Sequence, residues 1–157
     1  LFRSTQFGGH PMAAGLSMEE KNVELFRRRL NDNCTLTEQD LIPKIMIDVP
    51  MPISYLSKKL TEQLKVLEPF GKGNSKPLFA QKNLRAVGIR VLGRNRNVAK
   101  MLLIDENGIK MDAVYFGEAQ EFVDFVQAHD TISVTYYPEI NVFQGRENLQ
   151  VVIKNYC

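Results

Sequence analysis

Residues 7–15 read FGGHPMAAG, with two glycines set directly before one of the chain's two histidines. Glycine has no Cβ, so it enters positive φ freely and leaves its N–H groups open to close approach by a phosphate. A histidine next in line can donate a hydrogen bond to a phosphate oxygen, more strongly when protonated. Gly8, Gly9 and His10 are therefore a candidate phosphate site, and Ala13, Ala14 and Gly15 would let the following strand pack with little bulk. On the tripeptide alone, a plain Gly-Gly turn with an exposed histidine is the simpler reading.

Other chemistry finds less support. His10, His129, Cys34 and Cys157 are scattered, and no pair has a ligand spacing such as HxxxH or CxxC. The acids lack the paired carboxylates that a two-metal site needs. GKGNSKP, residues 71–77, has the glycines but not the spacing of a Walker loop. No Ser/His/Asp or Cys/His set assembles either. His129, at the end of a helical segment, reads as a surface residue. The chain holds no complete active site of its own, and no metal ligand is assigned in it.

Charge points to a binding partner instead. Residues 72–110 carry nine Lys/Arg against Asp105 and Glu106, a net +7, while residues 111–157 carry two against seven acids. Such a block suits a polyanion, although scattered solvated charges give the same count. With 157 residues, 44% apolar and 24% charged, the composition is that of a soluble globular protein of one ordinary or two small domains. No apolar run approaches the ~20 residues that span a bilayer, and no signal peptide opens the chain, so cytoplasm is the expected compartment. Two cysteines argue against a disulfide framework. A first residue of Leu rather than Met suggests a fragment of a longer protein.

The elements follow from pattern. Ser17-Met18-Glu19-Glu20 has the spacing of a capping box, ahead of a helix marked by Val23, Phe26 and Leu30. IPKIMIDVPMP (42–52) predicts an edge strand, and Ile53, Leu56, Leu60, Leu64 and Leu67 predict one helix ended by Pro69. The breakers of 69–77 predict a linker between a domain at 1–68 and a second at 78–157. Beyond it, residues 84–93, 97–105, 109–116, 131–137 and 148–154 read as five strands. Ala119, Phe122, Val123 and Val126 mark a helix between the third and fourth. That order predicts a five-stranded OB-fold barrel, with a small barrel of other topology as the alternative. The fold class is α+β: a partial α/β domain, then the barrel.

The barrel reading selects the ligand candidates. Arg94 and Arg96 lie in the first hairpin loop, GRNRN, which flanks the ligand face of OB-folds. Arg90 alternates with Val87, Ile89 and Val91 and should point outward; Lys100 interrupts an apolar strand and must find solvent or an anion. Arg146 and Phe143 fall in the loop between the last two strands. Tyr137 shares a face with Thr131, Ser133 and Thr135, so it is a candidate for stacking a base if that face is open, or for covering a neighbouring strand if it is not.

Three segments resemble one family. FGGHPMAAG resembles the motif of the DHH-associated domain of DHH-superfamily phosphoesterases. LEPFGKGNSKPLF (67–79) resembles the connecting segment of the RecJ-type single-stranded-DNA-specific exonucleases, and EINVFQGRENLQVVI (139–153) resembles the last two strands of their OB domain. The matches fall in family order and cover essentially the whole chain. The resemblance implies a 5′→3′ exonuclease of DNA repair and recombination, using Mn2+ or Mg2+ held by an N-terminal DHH domain that is not in this sequence. It gives Gly8, Gly9 and His10 the substrate-phosphate role, single-stranded DNA and that DHH domain as partners, and no activity to the chain alone. Two alternatives stay open: another DHH-family phosphodiesterase, which should carry no OB barrel, and a non-catalytic OB module that binds nucleic acid or protein.

Overall fold

The computed structural model describes residues 6–10 and 13–157; within β1 the side chains of Phe7 and His10 lie outside that description. The chain divides into two compact units, Leu1–Lys44 and Ile45–Cys157. The segment 69–77, expected as the linker, thus lies inside the second unit.

In the first unit, β1 (Gln6–His10) pairs antiparallel with β2 (Ala13–Ser17), and α1 (Val23–Asp32) follows a 3-10 turn at Glu20–Asn22. Ser17 is the last residue of β2 rather than a helix cap, and neither the turn nor α1 carries a side-chain cap. Phe26 is half-buried, while Val23 and Leu30 are exposed. Two residues of the apolar stripe of α1 thus stay open among the described residues, which spacing alone could not show.

The second unit is the barrel. Its strands are β4 (Phe79–Leu92), β5 (Val98–Ile104), β6 (Lys110–Phe116), β7 (Ile132–Phe143) and β8 (Arg146–Tyr156), with α3 (Ala119–Gln127) between β6 and β7. They pair in the order β4-β5-β6-β8-β7, and β4 pairs again with β7, so the sheet returns to its first strand. The order is that of an OB-fold.

One strand serves two partners because it bends twice. β4 pairs with β7 through Phe79–Leu84 and with β5 through Arg85–Leu92. Register shifts fall at Gln81/Leu84 and Val87/Arg90, and they contain Asn83 (φ 58) and Gly88 (φ 64). Each is a bulge whose left-handed residue turns the strand. The second bulge also corrects the simple alternation. Val87 stands beside Leu102 and shares the outer face with Arg90, while Ala86, Ile89 and Val91 pack on the core.

Inside, Leu84, Leu103, Phe122, Tyr136 and Val151 are fully buried, each worth roughly 1.5–3 kcal/mol if its side chain is apolar. The Tyr136 hydroxyl donates to the Met51 carbonyl at 2.5 Å, and Gln81 Oε1 accepts from the Ile53 N–H at 2.7 Å. These bonds anchor the segment before the barrel.

That segment differs from its sequence pattern. Of the expected strand 42–52, β3 (Val49–Pro50) alone pairs, parallel to β4 at the sheet edge, since Pro43, Pro50 and Pro52 supply no N–H. The expected helix 53–67 is three pieces: a 3-10 turn at Ile53–Tyr55, α2 (Lys58–Gln63), and a 3-10 turn at Leu64–Leu67. Ser57 breaks it by capping α2 with its hydroxyl, which accepts from the Leu60 N–H at 3.1 Å. The 3-10 turn at 53–55 packs on β6 and α2 packs on β7, so 53–70 covers part of the barrel's outer face.

The last two strands are longer than expected. β7 and β8 run on as a ribbon to a two-residue turn at Gln144 (φ 50) and Gly145 (φ 75). Two positive φ values match the twist of flanking strands, as in a type I′ hairpin.

Candidate nucleic-acid interface

Strand alternation and pairing register decide which side chains share the outer face. In the row crossing the middle of the sheet, Arg90 stands opposite Lys100, Lys100 opposite Val114, Val114 opposite Val152, and Val152 opposite Tyr137. Arg90 and Lys100 are exposed; Val114, Val152 and Tyr137 are buried. The open part of the face is thus β4–β5 with the near edge of β6.

There the surface sinks into a groove of about 400 Å³, lined by Val87, Arg90, Leu92, Lys100, Leu102 and Asp112. Among the described residues neither Arg90 nor Lys100 makes an ion pair. Like charges directly opposite on paired strands repel, and an anion between the two would relieve that repulsion. Asp112, half-buried beside Leu102, is the acid in the groove lining.

The β4–β5 hairpin adds the next two cations. Gly93 (φ 86) turns the chain out of β4, and Arg96 (φ 52) sends its N–H back to the Gly93 carbonyl at 3.0 Å. Arg94 and Arg96 are exposed, and an Arg96 Nη2 reaches Gln120 Oε1 on α3 at 3.5 Å. Arg90, Arg94, Arg96 and Lys100 therefore form one group around β4, β5 and their turn.

Arg146 and Phe143 face each other across the tip of the β7–β8 ribbon, both exposed. Register puts them on the outer face too, but the covered strip of Val114, Val152 and Tyr137 separates them from the Arg90–Lys100 pair. The fold thus places these cations in two patches.

Tyr137 is covered rather than open to a base. It is 7% exposed, met edge-on by Phe70 at 6.1 Å between ring centres, with Lys76 Nζ 4.7 Å from its own. Burial, then the carboxylates of Glu68 and Glu139, push its hydroxyl pKa up. It covers a sheet and offers no open ring. The sequence could not show that residues 53–70 fold back over this face.

Gly8 and Gly9 are exposed, but they lie in a strand rather than a positive-φ turn. Gly9 is needed for closeness: a Cβ there would meet the Ala13 carbonyl oxygen at 2.8 Å and Ala14 Cα at 2.9 Å. Gly8 has open space where its Cβ would be. The His10 imidazole lies outside the described residues. His129 is exposed, stacked on Phe125 with 4.2 Å between ring centres, and its Nδ1 lies 2.8 Å from the Phe125 carbonyl.

Among the described residues no three His, Cys, Asp or Glu side chains gather where they could hold a metal ion. No helix among them is long and apolar enough to cross a membrane.

A sequence profile described as the RecJ OB domain matches residues 47–155. The chain belongs to the RecJ OB domain family. Curated relatives extend the likeness into the first unit. The single-stranded-DNA-specific exonuclease RecJ of Bacillus subtilis is 32% identical over 151 residues, covering 95% of this chain and 19% of that protein. RecJ of Escherichia coli is 30% identical over 156 residues, covering 96% and 26%. The chain thus spans about a fifth to a quarter of these relatives. The crystal structure of RecJ with Mn2+ from Thermus thermophilus superposes with a TM-score of 0.70 at 21% identity, covering 98% of this chain and 22% of that one. The Mg2+ complex gives 0.68 at 20% identity. At that identity the two structures speak for the fold.

Proposed function

We propose that this chain is the substrate-holding part of a 5′→3′ single-stranded-DNA exonuclease, with phosphodiester hydrolysis carried out on a DHH domain outside it. The observation that carries this reading is the exposed, unpaired Arg90–Lys100 pair, flanked by Arg94 and Arg96, on the open face of a RecJ-family OB barrel. Cations in a groove track a single-stranded backbone without reading sequence. The Thermus complexes contain Mn2+ and Mg2+; in this reading the DHH domain would hold such an ion, which would supply an activated water there. Gly8, Gly9 and His10 contact the substrate phosphate facing it. The work of such an enzyme belongs to DNA repair and recombination in the cytoplasm.

Two measurements test the reading. A labelled single-stranded oligonucleotide should bind the 157-residue chain at low salt, more weakly as salt rises. The same chain with manganese should release no nucleotides. Absent binding at low salt, or nucleotide release by contaminant-free chain, overturns it.

A further inference from the structure

One outward position on this face lies outside the cationic group. Along β6, Met111 and Ala113 point into the core, and Lys110, Asp112, Val114 and Phe116 point outward. Val114 is covered. Phe116, one step beyond, is 57% exposed. Its row across the sheet is Phe116–Val98–Leu92, and Leu92 is 45% exposed. A lone exposed apolar residue is ordinary, but two in one row beside a cationic groove form a patch with a boundary.

The four cations surround that patch. The Arg90–Lys100 row is one step away along the strands. Phe116 lies one strand and one step from Lys100, about 8 Å by sheet geometry. On the other side is the hairpin that carries Arg94 and Arg96. It is tied to the end of β6, because the Gly117 N–H donates to the Asn97 carbonyl at 3.0 Å and Arg96 reaches Gln120 just beyond. Tyr115, the preceding residue, turns the other way and stacks on Phe122 at 4.7 Å, which fixes the strand end and leaves the Phe116 ring outside.

We infer that Phe116 is the base-stacking platform of this interface, with Leu92 beside it as an apolar floor. The inference rests on the single-strand reading and gives it a cause. Cations alone accept any polyanion, whereas a ring at the surface needs an unpaired base with a free π-face. The ligand class is thus narrowed to strands whose bases are unstacked, with no preference among them.

The chain has no tryptophan, so Phe116→Trp installs a single tryptophan at the platform, whose emission can be excited apart from the tyrosines. Phe116→Ala should weaken oligonucleotide binding about 5- to 150-fold, as expected for losing one stack, and leave the salt slope unchanged because no charge is removed. Phe116→Trp should retain affinity, and its emission should be quenched as the oligonucleotide is added. Wild-type affinity in Phe116→Ala, or unquenched emission while Phe116→Trp binds, overturns the platform and leaves the cationic reading standing. If the wild-type chain itself fails to bind at low salt, both fall.

Discussion

Arg90 and Lys100 stand directly opposite each other on β4 and β5, both exposed and without an ion pair among the described residues. Facing cations on paired strands cost stability. The first prediction separates stability from binding on that ground. Lys100→Ala should leave the melting temperature unchanged or raise it slightly, while flattening the log–log salt slope by about 0.7, the share of one phosphate contact. A lowered melting temperature with unchanged binding would show that Lys100 serves the fold.

Tyr137 should behave as a packing residue. Tyr137→Phe keeps the ring against Phe70 and should bind single-stranded DNA as the wild type does. Tyr137→Ala empties that site and should cost roughly 3–5 kcal/mol of stability. Chemical denaturation alongside oligonucleotide titration reads both. A binding loss in Tyr137→Phe at full stability would restore a contact role.

The barrel should weaken in alkali. Burial raises the Tyr136 hydroxyl pKa well above its ordinary 10.0, while its O–H donates to the Met51 carbonyl. A folded-state pKa above the unfolded one keeps its full stability below the unfolded value and loses it as pH rises further. Stability attributable to Tyr136 should hold to about pH 10 and fall above it. Tyr136→Phe should remove that part of the alkaline slope, at a cost of about 1–3 kcal/mol at neutral pH for the unsatisfied Met51 carbonyl. Denaturation between pH 7 and 11 measures this, and an unaltered alkaline limb in Tyr136→Phe would contradict it.

The two glycines of the proposed phosphate contact should separate. Gly9→Ala drives a Cβ against the backbone of Ala13 and Ala14 and should disrupt the β1–β2 hairpin. Gly8→Ala meets nothing within 4 Å, so the hairpin should survive it. In an enzyme that also carries the DHH domain, Gly8→Ala and His10→Ala should both lower turnover strongly with folding intact. A Gly8→Ala enzyme with wild-type turnover would mean that Gly8 gives a phosphate no needed clearance.

What the sequence disclosed follows from the range of the forces involved. The barrel strands were legible because Ala99, Met101 and Leu103 alternate with outward residues and Gly-rich turns punctuate them. The ribbon was not, because Pro138, Glu139 and Asn141 interrupt the apolar pattern, so a strand reads as a loop. Gly88 flips the phase of β4, which turned Val87 outward against simple alternation. The exposure of Arg90, Arg94, Arg96 and Lys100 was legible because charge is a local signal. Tyr137 is covered rather than open because the folding back of residues 53–70 is a tertiary fact with no local trace. The one hint at Phe116 was an aromatic at a strand end, in phase with Lys110 and Asp112.

The last prediction counts phosphates. Five cations on one continuous path would give a salt slope of about −3.5, at roughly −0.7 per contact for single strands. The fold divides them: Arg90, Arg94, Arg96 and Lys100 surround the β4–β5 groove, while Arg146 lies beyond the covered strip of Val114, Val152 and Tyr137. A short oligonucleotide seated in the groove should therefore give about −2.8, the share of four contacts. Arg94→Ala with Arg96→Ala should bring it to about −1.4, and Arg146→Ala should leave it where it was. Longer strands that reach the ribbon tip should recover the fifth contact, and there Arg146→Ala should flatten the slope by about 0.7. Titrating short and long labelled oligonucleotides at several salt concentrations provides the comparison. An Arg146 effect equal at both lengths would mean the two patches act as one, and a slope indifferent to Arg94 and Arg96 would mean the hairpin cations never meet the strand.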